Sequence, residues 1–375
     1  MRSLLSSIAI SKRRLSNDTL IRRVAFALDV RSRNVSMGNR RRRSKEDIHV
    51  LVASQVVGVA ESIVRSCSAY NLPVRVECLG TRTETWQDFE ERVKKAEIIV
   101  GDPPTFSTLL QEKCTQLKWF QSTYAGCDAL LKSSKRDFRV TRLGGCVFGP
   151  KMAEYVVLHV LALERQLAFT YDLQRNRKWA SVGTMRYRTL DQLTMGILGF
   201  GAIGAHVAKI SRAVGFQRIL GLRRSGRTHN DRRSNDEVDR IYSPDELMDM
   251  LPECDYVVNL LPSTEETKGL LTPAALASCE GRTVLINTGR GSIAKEADIV
   301  CALDAGYLRH AVLDVFANEP LCAQSKLWSH EKITVTPHVA ATSSPDDVGE
   351  IFAKNLTRWT IGNELLDPFD WDAQY

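Results

Sequence analysis

The sequence predicts an α/β protein built from two doubly wound parallel-sheet domains, and three observations carry that prediction. From His49 onward, short apolar runs alternate with stretches of helical periodicity, the pattern of successive βα units. Only the second half holds a Gly-x-Gly-x-x-Gly turn, at Gly199, Gly201 and Gly204, so the two halves have different tasks. Gly, Pro and polar residues punctuate the ends of the second-half runs, where a doubly wound sheet gathers its ligands. At 375 residues the chain has the length of two domains.

Composition narrows the class. Apolar residues make up 43% of the chain, enough for a sizeable core, and no uninterrupted apolar run approaches the ~20 residues of a membrane helix. Nine cysteines are scattered singly, with no C-x-x-C pair and no Cys/His cluster at zinc spacing. That fits free thiols in a reducing compartment and offers no metal site. The net charge of +7 is uneven: residues 1–45 hold a local +11, which leaves the rest at −4. A mildly acidic body argues against a nucleic-acid surface on the folded part.

Residues 1–45 stand apart as a basic extension ending in Arg40 to Arg43. Leu20, Ile21, Val24, Ala25 and Leu28 fall at helical spacing among Arg22, Arg23 and Arg31. An amphipathic, basic, acid-poor start is the composition of a mitochondrial transit peptide; a disordered tail or a nuclear-type basic patch shares it. The location is mitochondrial on the first reading and cytoplasmic on the second.

The first domain is predicted over 46–148, completed by 342–375. Its strands are HVLVASQ, LPVRVEC, EIIVGD, LKWFQS and FRVTRL, with a helix over Val59 to Tyr70. After LKWFQS comes the turn Tyr124-Ala125-Gly126-Cys127-Asp128. A long helix starts near Pro150, which suits a first helical turn, and Met152, Tyr155, Val156, Val160, Leu163 and Leu167 keep a 3.6-residue period.

The second domain is predicted over 149–341. Met195 to Leu198 reads as a buried strand and Ala202 to Ala213 as a helix, so the glycines between them form a dinucleotide-binding turn. Gly199 allows the bend, Gly201 lets backbone approach a pyrophosphate at the helix N-terminus, and Gly204 permits close packing. The next strand, Arg218 to Leu222, ends in Arg223, Arg224 and Ser225 where an NAD site usually has an acid. A carboxylate would repel a 2′-phosphate and Arg clamps it, which favours NADP(H) over NAD(H). Further strands follow at YVVNLLP, TVLINTG, HAVLDVF and KITVTP.

At three of those strand ends stands one member of an acid–base set: Arg290 after INTG, Glu319 after LDVFAN, and His338 after TVTP. Reducing a ketone by hydride needs a cation for the substrate carboxylate and carbonyl, an acid for the developing alkoxide, and a partner that tunes the acid. Guanidinium suits the first role, imidazole the second, and a carboxylate beside imidazole the third.

The motifs GFGAIG, NLLPSTEETKG, INTGRG, LDVFANEPL and TPHVAA, in that order, resemble the D-2-hydroxyacid dehydrogenase family from about Ile48 to the C-terminus. Within it the nearest likeness is to glyoxylate/hydroxypyruvate reductases of the bacterial A type. That likeness rests on GPKMAEYVVLHVL, the Trp179 segment, the Leu-Arg-Arg-Ser strand end and a tail ending in Tyr375. The resemblance implies a Rossmann cofactor domain inserted in a flavodoxin-like substrate domain, with the chain returning through a helix over Pro345 to Ile361.

It also implies an NAD(P)H-dependent enzyme that reduces a small 2-oxo acid to the D-2-hydroxy acid, with Arg290, Glu319 and His338 catalytic. Ala125 and Gly126 match the loop whose amides bind the substrate carboxylate. Phe200, Gly201, Ala202 and Ile203 match the diphosphate loop, and Asp314 matches the residue that holds the nicotinamide carboxamide. Leu261, Pro262, Thr267, Thr288, Gly289, Arg290 and His338 complete the cofactor contacts. Family members are usually homodimers through the cofactor domain, with the 150–170 helix in the interface. An NAD(H)-sensing protein like the C-terminal-binding-protein corepressors shares the triad, and a dehydrogenase of another 2-hydroxy acid is a further alternative. Asp102-Pro103-Pro104 departs from the subgroup in having Asp at its first position.

Overall fold

A computed structural model describes residues 47–79, 86–181, 183–224 and 237–375. The basic extension, with its transit-peptide reading, and Ser225 lie outside the described residues. The chain divides into two compact units. One runs to Arg142 and resumes over Ser343–Ala373; the other spans Leu143–Thr342 with Gln374–Tyr375.

In the first unit, β1 (Ile48–Ala53), β2 (Val74–Cys78), β3 (Ile98–Gly101), β4 (Trp119–Ser122) and β5 (Arg139–Thr141) form a parallel sheet of order β2-β1-β3-β4-β5. Both faces are covered, which is why β3 and β4 are buried along their whole length. On one face Phe106 stacks on Phe120 with ring centroids 4.0 Å apart. On the other, Trp119 stacks on Phe352 at 5.1 Å and Trp359 at 5.6 Å. Both partners belong to the helix Pro345–Thr360, which starts in a capping box of Ser344 and Asp347 and packs on the helix Val59–Ala69. The sequence thereby returns its last helix to the sheet it began.

The second unit carries seven parallel strands: β6 (Thr194–Leu198), β7 (Arg218–Leu222), β8 (Arg240–Tyr242), β9 (Tyr256–Asn259), β10 (Val284–Asn287), β11 (His310–Leu313) and β12 (Ile333–Val335). Their order is β12-β11-β10-β9-β6-β7-β8, so the direction of winding reverses between β6 and β9. That switch point is where such a sheet opens a crevice for ligand. The sheet stops at Asn259, Asn287, Leu313 and Val335. The residues after these ends, which the sequence reads as strand, are the loops of the site.

Two features differ from the sequence reading. The edge strand β8 has no counterpart in it, because three residues with only Tyr242 fully buried carry almost no period. The long helix begins at Gly145, not near Pro150, and ends at Glu164. Pro150 sits inside it, in the second turn, where it forgoes the hydrogen bond to the Cys146 carbonyl.

With 20 residues and a mean hydropathy of 1.4 in its best window, this helix is long and apolar enough to cross a membrane by length and composition, although Lys151, Glu154 and Glu164 interrupt its apolar run. One face of it packs into the core. Ala153, Val156 and Val160 are fully buried in the cluster that also holds Val207 and Ala208 of the helix Ala202–Val214.

Candidate active site

The switch-point turn begins at Gly199, whose φ of +96° is the left-handed backbone that glycine adopts freely. The Gly199 and Phe200 amides donate to the Leu222 carbonyl at 3.0 and 2.9 Å, which ties the turn to the end of β7. Above Gly201 the space is open, since a Cβ there would meet nothing within 4 Å. Ala202 and Ile203 then open the helix, and Gly204 tucks beneath the turn against the Gly199 carbonyl. Amides of a first helical turn facing open space fit the diphosphate of a dinucleotide. Phe200 takes part through backbone only, because its side chain is 4% exposed and packed in the core.

At the end of β7 the Arg223 amide donates to Tyr242 of β8, and its side chain is half-buried. Arg224 is exposed, lies 3.5 Å from a Glu266 oxygen, and places its guanidinium 5.2 Å from the ring centre of Tyr375. The adjoining wall is braced from within. Thr267 donates to the Pro262 carbonyl at 2.6 Å, and the Leu261 amide donates to the Asn259 side chain at 3.1 Å. Asn259, fully buried, donates to Asn287 at 2.9 Å and accepts from Thr288 through its carbonyl. Sequence reasoning overlooked both asparagines, which lock the loops after β9 and β10 together.

Asn287 also donates to the Arg290 carbonyl, and Arg290 donates from Nη1 to the Gly289 carbonyl at 2.8 Å. Gly289 packs so closely on Leu261 and Asn259 that a Cβ would stand 2.7 Å from the Leu261 carbonyl oxygen. The guanidinium is therefore carried on a loop fixed at both ends.

Asp314 organises the third and fourth loops. It is 1% exposed. Its Oδ1 accepts from the Thr336 hydroxyl at 2.6 Å and the Val339 amide at 2.8 Å, its Oδ2 accepts from the Ala340 amide at 3.0 Å, and its carbonyl accepts from the His338 amide at 2.9 Å. Tyr155 reaches Thr336 at 2.6 Å and is the donor there, because Thr336 has given its proton to Asp314. Asp314 thus anchors the backbone that presents His338, which itself has φ +55°.

His338 Nδ1 lies 2.7 Å from Glu319 Oε2, and Glu319 Oε1 accepts from the Phe316 amide at 2.9 Å. The bond to Glu319 raises the His338 pKa above its ordinary 6.5, with burial opposing and the Glu319 charge adding to the rise. Burial pushes the Glu319 carboxyl up, but the bonds from His338 and the Phe316 amide, with Arg290 nearby, hold it below 4.5. With Nδ1 committed to Glu319, Nε2 is the ring nitrogen left to meet a substrate. Arg290, Glu319 and His338 are thus brought together, with charges able to hold a carboxylate and pass one proton.

Ala125 and Gly126 belong to the first unit. They follow β4 in a turn where Ser122 donates to the Tyr124 carbonyl and accepts from the Tyr124 amide, at 2.8 and 2.9 Å. Among the described residues neither the Ala125 nor the Gly126 amide has an intramolecular partner, and both residues are half-exposed.

Residues 157–340 match the family model described as D-isomer specific 2-hydroxyacid dehydrogenase, NAD binding domain. The chain is 31% identical over 304 residues to glyoxylate/hydroxypyruvate reductase A of Klebsiella pneumoniae subsp. pneumoniae, covering 79% of this chain and 92% of that one. A crystal structure of a D-isomer specific 2-hydroxyacid dehydrogenase family protein from Aeromonas salmonicida superposes with a TM-score of 0.75 at 37% identity, over 87% of this chain and all of that one. An NADPH-dependent glyoxylate/hydroxypyruvate reductase from Sinorhizobium meliloti, solved with NADP and sulfate, gives 0.72 at 27% identity, over 87% and 99%. These relatives are bacterial and lend no support to a mitochondrial destination for residues 1–45.

Proposed function

Because the chain belongs to the D-isomer specific 2-hydroxyacid dehydrogenase family, we propose that it is an NADP(H)-dependent reductase of small 2-oxo acids of the glyoxylate and hydroxypyruvate kind. The observation that carries this reading is the His338–Glu319 pair, suspended from Asp314 beside the Arg290 loop at the ligand-binding edge of a parallel sheet.

The bound nicotinamide supplies the hydride to the keto carbon. Arg290 holds the substrate carboxylate and draws electron density from the carbonyl. His338, charged through Nδ1–H bonding to Glu319, delivers the Nε2 proton to the oxygen as the C–H bond forms. One hydride and one proton convert the ketone to the hydroxyl, and Glu319 stabilises the imidazolium until that transfer. Arg223 and Arg224 favour a cofactor with a 2′-phosphate. The nucleotide-bound relative with NADP points the same way.

The protein acts as a homodimer through the cofactor unit. Leu158 and Leu161 of the long helix, and Phe169 and Tyr171 of the helix Leu167–Arg175, expose apolar surface on one unit, and Trp179 beyond them is 98% exposed. Such a patch suits a second copy. Sedimentation of the full chain and of Leu161→Asp tests this: the wild type runs as a dimer and the variant as a monomer.

Turnover is tested by NADPH and NADH oxidation with glyoxylate and hydroxypyruvate. Reduction of both acids, faster with NADPH, supports the reading. Cofactor binding with no turnover of any 2-oxo acid overturns it and returns the chain to a nucleotide-sensing role.

A further inference from the structure

The first unit has its own switch point, between β1 and β3, where a sheet of order β2-β1-β3-β4-β5 offers a crevice at its C-terminal edge. At that edge, directly after β3, stands Asp102, which is 2% exposed. Asp102 stands at the N-cap of the helix Pro103–Leu109, the usual place for an Asp that caps the first turn, yet its side chain makes no cap hydrogen bond. Pro103 and Pro104 explain this in part, because each removes a backbone N–H at the helix start.

The carboxylate turns to the neighbouring strands instead. Oδ1 accepts from the Ser54 hydroxyl at 2.6 Å and the Thr123 hydroxyl at 2.5 Å, and Oδ2 accepts from the Gln55 amide at 2.6 Å. Ser54 in turn accepts from the Val56 amide. One buried carboxylate therefore clasps the loop after β1 and the loop after β4. Among the described residues no Lys or Arg pairs with it, and burial pushes its carboxyl up against the three hydrogen bonds that favour the charge. Burying a charge on hydroxyl and amide donors alone is costly. A neutral packing residue would fill this place between the loops after β1 and β4 at lower cost.

What the charge adds is orientation. Thr123 directly precedes Tyr124-Ala125-Gly126, and its carbonyl accepts from the Ser343 hydroxyl, so the residue is held on two sides. A charge-assisted hydrogen bond fixes its donor more firmly than a neutral one. We propose that Asp102 is a positioning residue for substrate binding: through Thr123 and Ser54 it holds the Tyr124–Gly126 turn so that the Ala125 and Gly126 amides form a preset cradle for the carboxylate of the 2-oxo acid. This rests on the 2-oxo acid reductase reading above.

The test is steady-state kinetics of Asp102→Asn and Thr123→Val with glyoxylate and NADPH varied separately, alongside thermal melts. The expected result is a KM for glyoxylate raised about tenfold in Asp102→Asn and severalfold in Thr123→Val, since binding depends on preset geometry. kcat and the KM for NADPH stay within about twofold, because neither residue touches the cofactor or the reacting atoms. A lowered melting temperature with an unchanged glyoxylate KM makes Asp102 a structural brace and overturns the proposal, as does a parallel rise in both KM values. If Asp102→Asn fails to fold, Thr123→Val decides alone. Wild-type protein that reduces no 2-oxo acid removes the functional reading and this inference with it; an active wild type beside an unaffected variant removes only the inference.

Discussion

Gly291 lies against the Phe316–Ala317 peptide with no room for a side chain: a Cβ there would stand 2.1 Å from the Phe316 carbonyl carbon. Gly291 follows Arg290, and Phe316 holds Glu319 through its amide. The contact therefore sets the spacing of two of the three acid–base residues. Gly291→Ala must part the loops after β10 and β11, because backbone cannot yield as a flexible side chain would. We expect a loss of about 1–3 kcal/mol in thermal or urea unfolding and a fall in kcat/KM of more than about tenfold. Retention of both would mean that the loops adjust freely.

The Glu319–His338 bond gives a pH dependence with a definite sign. Reduction uses protonated His338, whose pKa the bond to Glu319 raises above 6.5, so kcat/KM for the 2-oxo acid falls as pH rises through that raised pKa. In Glu319→Gln the negative partner is gone, and the alkaline limb moves to lower pH. Turnover at neutral pH falls by about 10²-fold, the low end for a displaced general acid. Oxidation of the hydroxy acid, which needs the neutral imidazole, moves its acidic limb down in the same variant. An alkaline limb at an unchanged pH would separate His338 from proton transfer.

Arg224 is exposed and touches Glu266 and Tyr375, so its removal leaves the core intact. Arg224→Asp is expected to lower the ratio of kcat/KM for NADPH over NADH by about 10- to 100-fold, through loss of one charge-assisted clamp and gain of repulsion. The melting temperature stays near wild type. A constant ratio would assign the 2′-phosphate to other residues.

Away from the site, Glu164 is 4% exposed and accepts from Arg188, Arg309 and the Tyr256 hydroxyl, each at 2.7 Å. Burial pushes its carboxyl up, but these partners outweigh it and bring the pKa from 4.5 to about 2. A depressed pKa contributes stability above 4.5 that is lost as pH falls toward 2. Glu164→Gln should cost about 3 kcal/mol near neutrality, by leaving Arg309 without its buried carboxylate and Arg188 with Asp255 alone. It should also flatten the acid limb of the melting temperature over that window. An equally steep acid limb in the variant would place the acid lability elsewhere.

The central strands were legible because both faces of each sheet are covered, which turns β6, β9 and β10 into continuous apolar runs ending at punctuation. Arg290, Glu319 and His338 were legible for the same reason: a polar residue just beyond such a run stands at the ligand edge. β8 was not, since a short edge strand has little apolar sequence to show. Nor were Asn259 with Asn287, or Glu164 with Arg188 and Arg309, because these partners are distant in sequence and meet only once the strand order is known. Asp102 was visible as an odd residue at the head of Asp-Pro-Pro, but its turn away from its own helix toward Ser54 and Thr123 was not.

The left-handed backbone at His338 sets a limit on how this protein can be made hardier. A side chain other than Gly pays for φ near +55°, by about 1 kcal/mol for a residue type that tolerates it and more for a branched one. Gly would relieve that strain, but it would also remove the imidazole and its bond to Glu319. Any gain in backbone ease at 338 would come with loss of the proton donor, so thermostabilisation has to be sought away from this position.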